Sequence, residues 1–340
     1  MQPALRDFWN QGEEFRILFR QLQDRSVVHA YLLSGEKGTG KRTLAKLMGQ
    51  ALLCAGEGER PCGVCRNCRR TAAGEHPDLI NIARGVPLSP AAKKDRATIP
   101  VDDIREMIRL CGIRSPEGNM HVVLLFDADR MTPQAQNCLL KTLEEPPEDT
   151  CLILTTEHTE ALLPTVISRC RTLRIRPWEE EYILRVLRDS GVEPTRAREA
   201  AQAAGGSIGR ALELAGDESY WAMREEVTRI FFGTTQRSDV LKISNQWKDR
   251  KGDANQMLQI LEHLIRTMMS ARYEPEKGEN PAGLPKRWTR FAREAEAKDF
   301  TALLDATAQA RKQLQFFTNF QAVLERLIFF FMGEGSKWSE

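Results

Sequence analysis

The sequence predicts an α/β domain, a parallel sheet with helices on both faces, followed by an all-helical half. Three observations predict it. A short apolar strand at residues 30–34 runs into a glycine-rich loop and then a helix. Apolar runs of strand length then alternate with helical segments as far as residue 175, the pattern of parallel strands joined by crossover helices. Beyond Pro177 the apolar spacing is helical only.

Taken in order, apolar residues at helical spacing predict a helix over residues 8–22. Residues 30–34, Ala-Tyr-Leu-Leu-Ser, form the first strand, and a helix follows at 43–53. Residues 76–82, beginning His76-Pro77-Asp78, suggest a second strand, and the polar stretch 87–98 a solvated loop. A helix opens at Val101, with Asp102 and Asp103 near its positive end, where the macrodipole favours them. Strands at 122–126, 150–155 and 171–175, with a helix at 132–143, complete the sheet. Helices at 179–188 and 196–204 lead to Gly205-Gly206-Ser207, and after Gly216 longer helices follow, interrupted at 273–284. The division expected is residues 1–176, a small helical lid at 177–216 and a helical domain at 217–340.

Composition narrows the classes. With 340 residues, 41% hydrophobic and 28% charged, the chain is long enough for more than one packed core and is not of disordered type. Lys and Arg number 49 against 47 Asp and Glu, and a net charge of +2 argues against coating nucleic acid or membrane by bulk charge. The first residues carry no apolar signal core, and the late apolar run at 327–332 is too short to span a bilayer. The expectation is a cytoplasmic protein without a membrane partner.

Cys54, Cys62, Cys65 and Cys68 lie close together in a segment rich in Gly, Pro and Arg. Two Cys-x2-Cys spacings let tight turns aim thiolates at one ion, and four sulfurs complete the closed shell of a structural zinc. A ferredoxin-type iron–sulfur cluster would want a further Cys and then Pro, but Cys68 is followed by Arg69-Arg70-Thr71, and reduced, unligated thiols are the remaining reading. Cys111, Cys138, Cys151 and Cys170 stand apart in apolar surroundings and read as small core residues.

The glycine loop Gly35-Glu36-Lys37-Gly38-Thr39-Gly40-Lys41 has the spacing that cradles phosphates, yet Arg42 stands where Ser or Thr would hold Mg²⁺. Thr43 is one residue out of register and is expected on another side of the helix. The strand at 122–126 ends at Asp127, the place for a metal carboxylate, and Ala128 follows where a water-activating Glu would stand. Asp129, one position further, is expected to point away by strand alternation. Two readings of the loop stay open: Gly35, Gly38, Gly40 and Lys41 still grip ATP or ADP, or the turn persists empty. Turnover is not expected.

The basic aromatic segment 286–293 allows either DNA phosphate contacts or a solvated helix face. Leu314, Phe316, Phe317, Phe320, Val323, Leu324, Leu327, Ile328 and Phe331 have helical periodicity and read as core or subunit contact.

Across residues 28–175 the chain resembles the delta-prime family of bacterial DNA polymerase III clamp-loader subunits, a branch of the AAA+ proteins. The resemblance is carried by residues 29–32, the four-cysteine insertion, His76-Pro77-Asp78, residues 127–131 (Asp-Ala-Asp-Arg-Met), residues 137–147 (NCLLKTLEEPP) and Ser168-Arg169-Cys170. It implies an AAA+ P-loop domain, a lid and a collar that closes a ring. Arg169, between Ser168 and Cys170, would act in trans as an arginine finger on a neighbour's ATP. Thr155 or Thr156 would be the first sensor and Arg210 the second, with ordinary strand-end and helix-cap chemistry as the other reading. The partners implied are gamma or tau ATPase subunits, delta, the sliding clamp and primed DNA. The chain would thus be a non-hydrolysing component of DNA polymerase III. Two alternatives stay open: an ATP-hydrolysing gamma or tau type subunit, which would want the residues missing at Arg42 and Ala128, and a zinc-dependent nucleic-acid module using Arg60, Arg66, Arg69 and Arg70.

Overall fold

The computed structural model describes residues 4–85, 88, 97–117, 120–273, 283–316 and 319–337. Most of the loop expected at 87–98, most of the interruption expected at 273–284, and Phe317 lie outside the described residues. The chain divides into two compact units, Met1–Gly191 with Ala204–Leu212, and Val192–Ala203 with Glu213–Glu340. The segment expected as a lid is therefore shared between them.

In the first unit, strands β1 (Ala30–Ser34), β2 (Leu79–Ile82), β3 (His121–Leu125), β4 (Thr150–Thr156) and β5 (Arg171–Arg174) lie in the order β2-β3-β4-β1-β5. Every pairing is parallel, with Leu32 opposite Leu154 and Val123 opposite Leu152. All residues of β1, β3 and β4 are buried, which is why these strands read as continuous rather than alternating apolar runs. Successive side chains of β3 serve opposite faces. Val123 and Leu125 join a core with Ile104 and Met107 of α4 (Val101–Cys111) and Leu139 and Leu143 of α5 (Pro133–Glu144). Val122 and Leu124 face Gly49 of α2 (Lys41–Leu53), where even a methyl group would lie 3.5 Å from Val122.

The helix expected over 8–22 is two elements. A 3₁₀ turn, Leu5–Gln11, is separated from α1 (Glu13–Asp24) by Gly12, whose φ of 138° interrupts the helix, and Glu13 and Glu14 restart it favourably at its positive end. Between α2 and β2 the cysteine segment closes with a short helix, α3 (Arg66–Ala73). After β4 come α6 (Pro164–Ile167), β5 and α7 (Glu180–Asp189).

The topology makes the site. Because β4 sits between β1 and β3, the chain leaving β1 crosses over to the far edge, and a crevice opens beyond the strands' carboxyl ends. The glycine loop, Asp127 and Glu157 all emerge there.

The second unit is helical: α8 (Pro194–Ala203), α10 (Glu218–Val227) running into a π-turn at Thr228–Gly233, α11 (Arg237–Trp247), α12 (Ala254–Tyr273), α13 (Lys286–Glu294), α14 (Ala297–Gln315) and α15 (Phe320–Ser336). Between them, α9 (Ile208–Gly216) begins in the first unit. Phe232 meets Trp288 and Phe331 edge-on at 4.9 and 5.7 Å in its core. Phe320, Val323, Leu324, Leu327, Ile328 and Phe331 are buried as core, whereas Phe316 is 71% exposed. The basic aromatic segment is α13: Trp288 and Phe291 are fully buried, Arg287 donates to the carbonyls of Phe232 and Thr234 at 2.9 and 2.8 Å, and Arg290 pairs with Glu294. Among the described residues no helix is long and apolar enough to cross a membrane.

Candidate functional site

A cavity of about 670 Å³ lies at the carboxyl edge of the sheet. Its floor is the glycine loop and the start of α2, including Gly38, Gly40, Lys41 and Arg42. Lys41 is buried, and its ammonium donates to the carbonyls of Gly35 at 3.0 Å and Glu36 at 2.7 Å while lying 3.5 Å from Glu157. Burial lowers its pKa against the pull of Glu157, Asp127 and Asp129.

Arg42 is the decisive departure from a hydrolytic site. Its guanidinium lies 2.5 Å from Asp127 Oδ2, with Phe126 beneath it at 5.4 Å. Asp127 holds a left-handed backbone (φ 55°), and its N–H donates to Thr155 Oγ1 at 3.1 Å. Thr155 is thereby fully buried in a backbone contact and does not line the cavity. Magnesium, which a P-loop implies, does not fit this donor set: the hydroxyl ligand is missing and the carboxylate is covered by a cation. Ala128 is buried and offers no base.

Two expectations need correcting. Asp129 does line the cavity, because the chain leaves the strand at Leu125 and residues 128–130 form a 3₁₀ turn, so alternation no longer applies. Asp129 Oδ1 accepts from Thr156 Oγ1 at 2.9 Å and from the Glu157 N–H at 3.3 Å. Thr43 also borders the cavity, since the first turn of α2 presents both Arg42 and Thr43 to it.

The start of α9 closes one side. The Gly209 N–H donates to Gly38 O and Ser207 Oγ donates to Lys37 O, both at 2.9 Å. Gly38 takes φ 75°, and a Cβ there would lie 2.3 Å from Ser207 Oγ, so glycine is required. Arg210 itself is exposed; its N–H donates to Ser207 Oγ at 3.1 Å, and its neighbours Gly209 and Leu212 line the cavity instead. Sequence reading missed Trp178. Its Nε1–H donates to Thr39 O at 2.8 Å, its ring stacks on Tyr182 at 4.3 Å and meets Phe8 edge-on at 5.2 Å, which steadies the loop from beneath. The one available signal was a Trp just after the last strand.

Ser168, Arg169 and Cys170 form the turn between α6 and β5. Arg169 is not among the cavity's lining residues. Its side chain is 33% exposed, with Nη2 2.6 Å from Glu144 Oε1 and Nη1 donating to Thr165 O at 2.9 Å. Ser168 Oγ donates to Thr165 O at 3.2 Å, which ties the turn, and burial pushes the Cys170 thiol up to about 12, which keeps it protonated. Burial likewise raises Cys111 to about 11 and Cys151 to about 12.

The four clustered cysteines come together as a possible metal centre, all four sulfurs lying within 4.8 Å of one another. Cys54 ends α2 and Cys65 caps α3, its sulfur accepting the Cys68 N–H at 3.3 Å. The Sγ separations Cys54–Cys65 and Cys62–Cys68 are 4.0 and 3.9 Å. Tetrahedral zinc with bonds of about 2.3 Å needs sulfurs about 3.8 Å apart, so the set fits a metal ion. Burial opposes ionisation of Cys65, yet the N–H groups of Cys68 and Ala55 bring it down to about 6, whereas burial raises the thiol of Cys68. The centre is tied to the fold: Arg25 donates to Cys54 O at 2.7 Å and Gln50 to Cys68 O at 3.0 Å. Of the nearby arginines, Arg70 pairs with Glu117.

A family model described as DNA polymerase III, delta subunit, matches residues 10–179. The DNA polymerase III subunit delta' of Bacillus subtilis is 30% identical over 323 residues, covering 94% of this chain and 95% of that protein. The chain belongs to the delta-prime family of DNA polymerase III. The Escherichia coli delta' subunit is 35% identical over 217 residues, 62% of this chain and 61% of its own length. The Escherichia coli subunit tau is 34% identical over 195 residues, 55% of this chain but only 29% of tau. The match to the Bacillus subtilis delta' subunit thus runs nearly the whole length of both chains, whereas the tau match covers less than a third of tau. A parallel α/β sheet with a glycine loop, followed by helices, is the AAA+ type of fold that the family resemblance implies.

Proposed function

We propose that this chain is the non-hydrolysing delta-prime subunit of a clamp loader. It completes a ring with ATP-hydrolysing gamma or tau subunits and delta, and it supports loading of the sliding clamp onto primed DNA. Arg169 serves as the arginine finger for a neighbouring subunit's ATP. One observation carries this reading: the Arg169 guanidinium is held at the surface by Glu144 and Thr165, away from its own cavity, while Arg42 and Ala128 disable that cavity.

Phosphoryl transfer spreads negative charge over equatorial oxygens, and a guanidinium brought to them across a subunit seam stabilises that charge with paired N–H donors. Ser168 and Cys170 hold the turn rigid so that the arginine is presented at little entropic cost. Zinc, bound by Cys54, Cys62, Cys65 and Cys68, supplies a structural cross-link where the segment has no apolar core of its own. The gamma or tau type reading is disfavoured by Arg42 and Ala128, which stand at the positions of the metal hydroxyl and the base. The nucleic-acid module reading loses support from the pairing of Arg70 with Glu117.

The test is reconstitution with ATPase partners, clamp and primed DNA. Arg169→Ala should depress turnover at the affected site by about 10³ or more, diluted in the total by unaffected sites. Brisk ATP hydrolysis by the isolated chain would refute the reading.

A further inference from the structure

We propose that the Arg42 guanidinium stands in for the divalent cation, so that the cavity takes a polyphosphate anion free of metal. Arg42 occupies the position of one metal ligand and bonds the other, Asp127, at 2.5 Å, so a single cation fills both halves of the metal's place. The remaining carboxylates are engaged as well: Asp129 accepts from Thr156 and the Glu157 N–H, and Glu157 faces Lys41. Each lining carboxylate thus already faces a cation or a hydrogen-bond donor.

The cavity still attracts anions. Lys37, Lys41, Arg42, Arg84 and Arg130 line it against Asp127, Asp129 and Glu157. A guanidinium has five N–H donors, and Arg42, with its side chain 57% exposed, keeps some of them for a phosphate oxygen while it holds Asp127. It can therefore bridge carboxylate and phosphate as a metal would. A cavity of about 670 Å³ has room for a triphosphate chain. A dication arriving with its phosphate would meet Arg42 at close range and be repelled. Arg169 takes no part in this, so the inference stands or falls separately from the finger.

The experiment titrates the zinc-loaded chain calorimetrically with ATP and with inorganic tripolyphosphate, each in resin-treated buffer free of Mg²⁺ and in excess Mg²⁺. Binding without Mg²⁺ at least as tight as in Mg²⁺ is expected; tighter binding of ATP marks a nucleotide as the ligand, and equal binding marks recognition of the phosphates alone. In Arg42→Thr, which frees Asp127 and returns a hydroxyl, Mg²⁺ should strengthen binding about tenfold or more. Mn²⁺ relaxation on the unaltered chain with tripolyphosphate keeps the test independent of the variant's folding and should register no protein-bound metal. Absence of binding in the Mg²⁺-free buffer, a requirement for Mg²⁺ in the unaltered chain, protein-bound Mn²⁺, or a folded Arg42→Thr indifferent to Mg²⁺ would each overturn the proposal.

Discussion

If Arg169 acts across a seam, removing it should hardly affect the chain that carries it. Among the described residues its guanidinium pairs with Glu144, donates to Thr165 O and reaches Ser168 Oγ at 3.5 Å. The pair is exposed, 33% on the arginine side and 50% on the glutamate side, so solvent screening limits it to about 0–1 kcal/mol. The bond to Thr165 O adds about 1 kcal/mol, and because that oxygen also accepts from Ser168 it is not orphaned. Arg169→Ala should therefore cost about 1–2 kcal/mol, a shift of about 2–8 °C in melting temperature for a unit of this size. Glu144→Ala should cost about 1 kcal/mol or less and leave the guanidinium anchored on Thr165. The assay pairs thermal melts of each variant with ATP turnover of the reconstituted assembly. Large loss of turnover in Arg169→Ala with a melt lowered by no more than about 8 °C, and only a small change in Glu144→Ala, is the expected pattern. Equal damage from both substitutions would mean that the arginine works by holding Glu144 within its own chain, and the reasoning would fail.

Three further outcomes are expected. Metal analysis of the purified chain should find about one zinc per molecule, and Cys65→Ser should abolish it together with protection of residues 54–68 from proteolysis. Trp178→Phe keeps the ring packing but removes the donor to Thr39 O, and should cost about 1–3 kcal/mol with faster amide exchange in the glycine loop. Burial holds the His76 imidazole below its usual range, against the pull of Glu117 and Asp78 and with Arg70 acting in the same direction as burial. The unfolded chain therefore takes up the proton first. The stability this contributes is present above about pH 6.5 and is lost as pH falls toward the lower folded value, so melts of His76→Gln should show a shallower acid slope than the parent.

Much of the first unit was legible because its signals are local. A buried parallel strand must be apolar throughout, so β1, β3 and β4 announce themselves, and a strand–glycine loop–helix needs its glycines at set positions. Four cysteines at close spacing could be read as a metal centre before any geometry was known, since chain connectivity alone keeps their sulfurs near one another. The break at Gly12 was missed because the apolar spacing continues through it, and the glycine's positive φ leaves no trace in periodicity. The face taken by Asp129 was misjudged because strand alternation was carried past the point where the strand ends.

Residue identity by itself determined that the positions of the metal hydroxyl and of the base are filled by Arg42 and Ala128, which carry no such groups whatever their surroundings. What the intruding arginine does instead was decided by tertiary structure alone. Arg42 and Asp127 are 85 residues apart, and only the parallel stacking that brings the ends of β1 and β3 to one edge sets guanidinium against carboxylate. The same holds for Trp178 beneath Thr39 and Arg169 against Glu144. Sequence states which groups are present, while distance-dependent Coulomb and hydrogen-bond energies act only once folding has made distant groups neighbours.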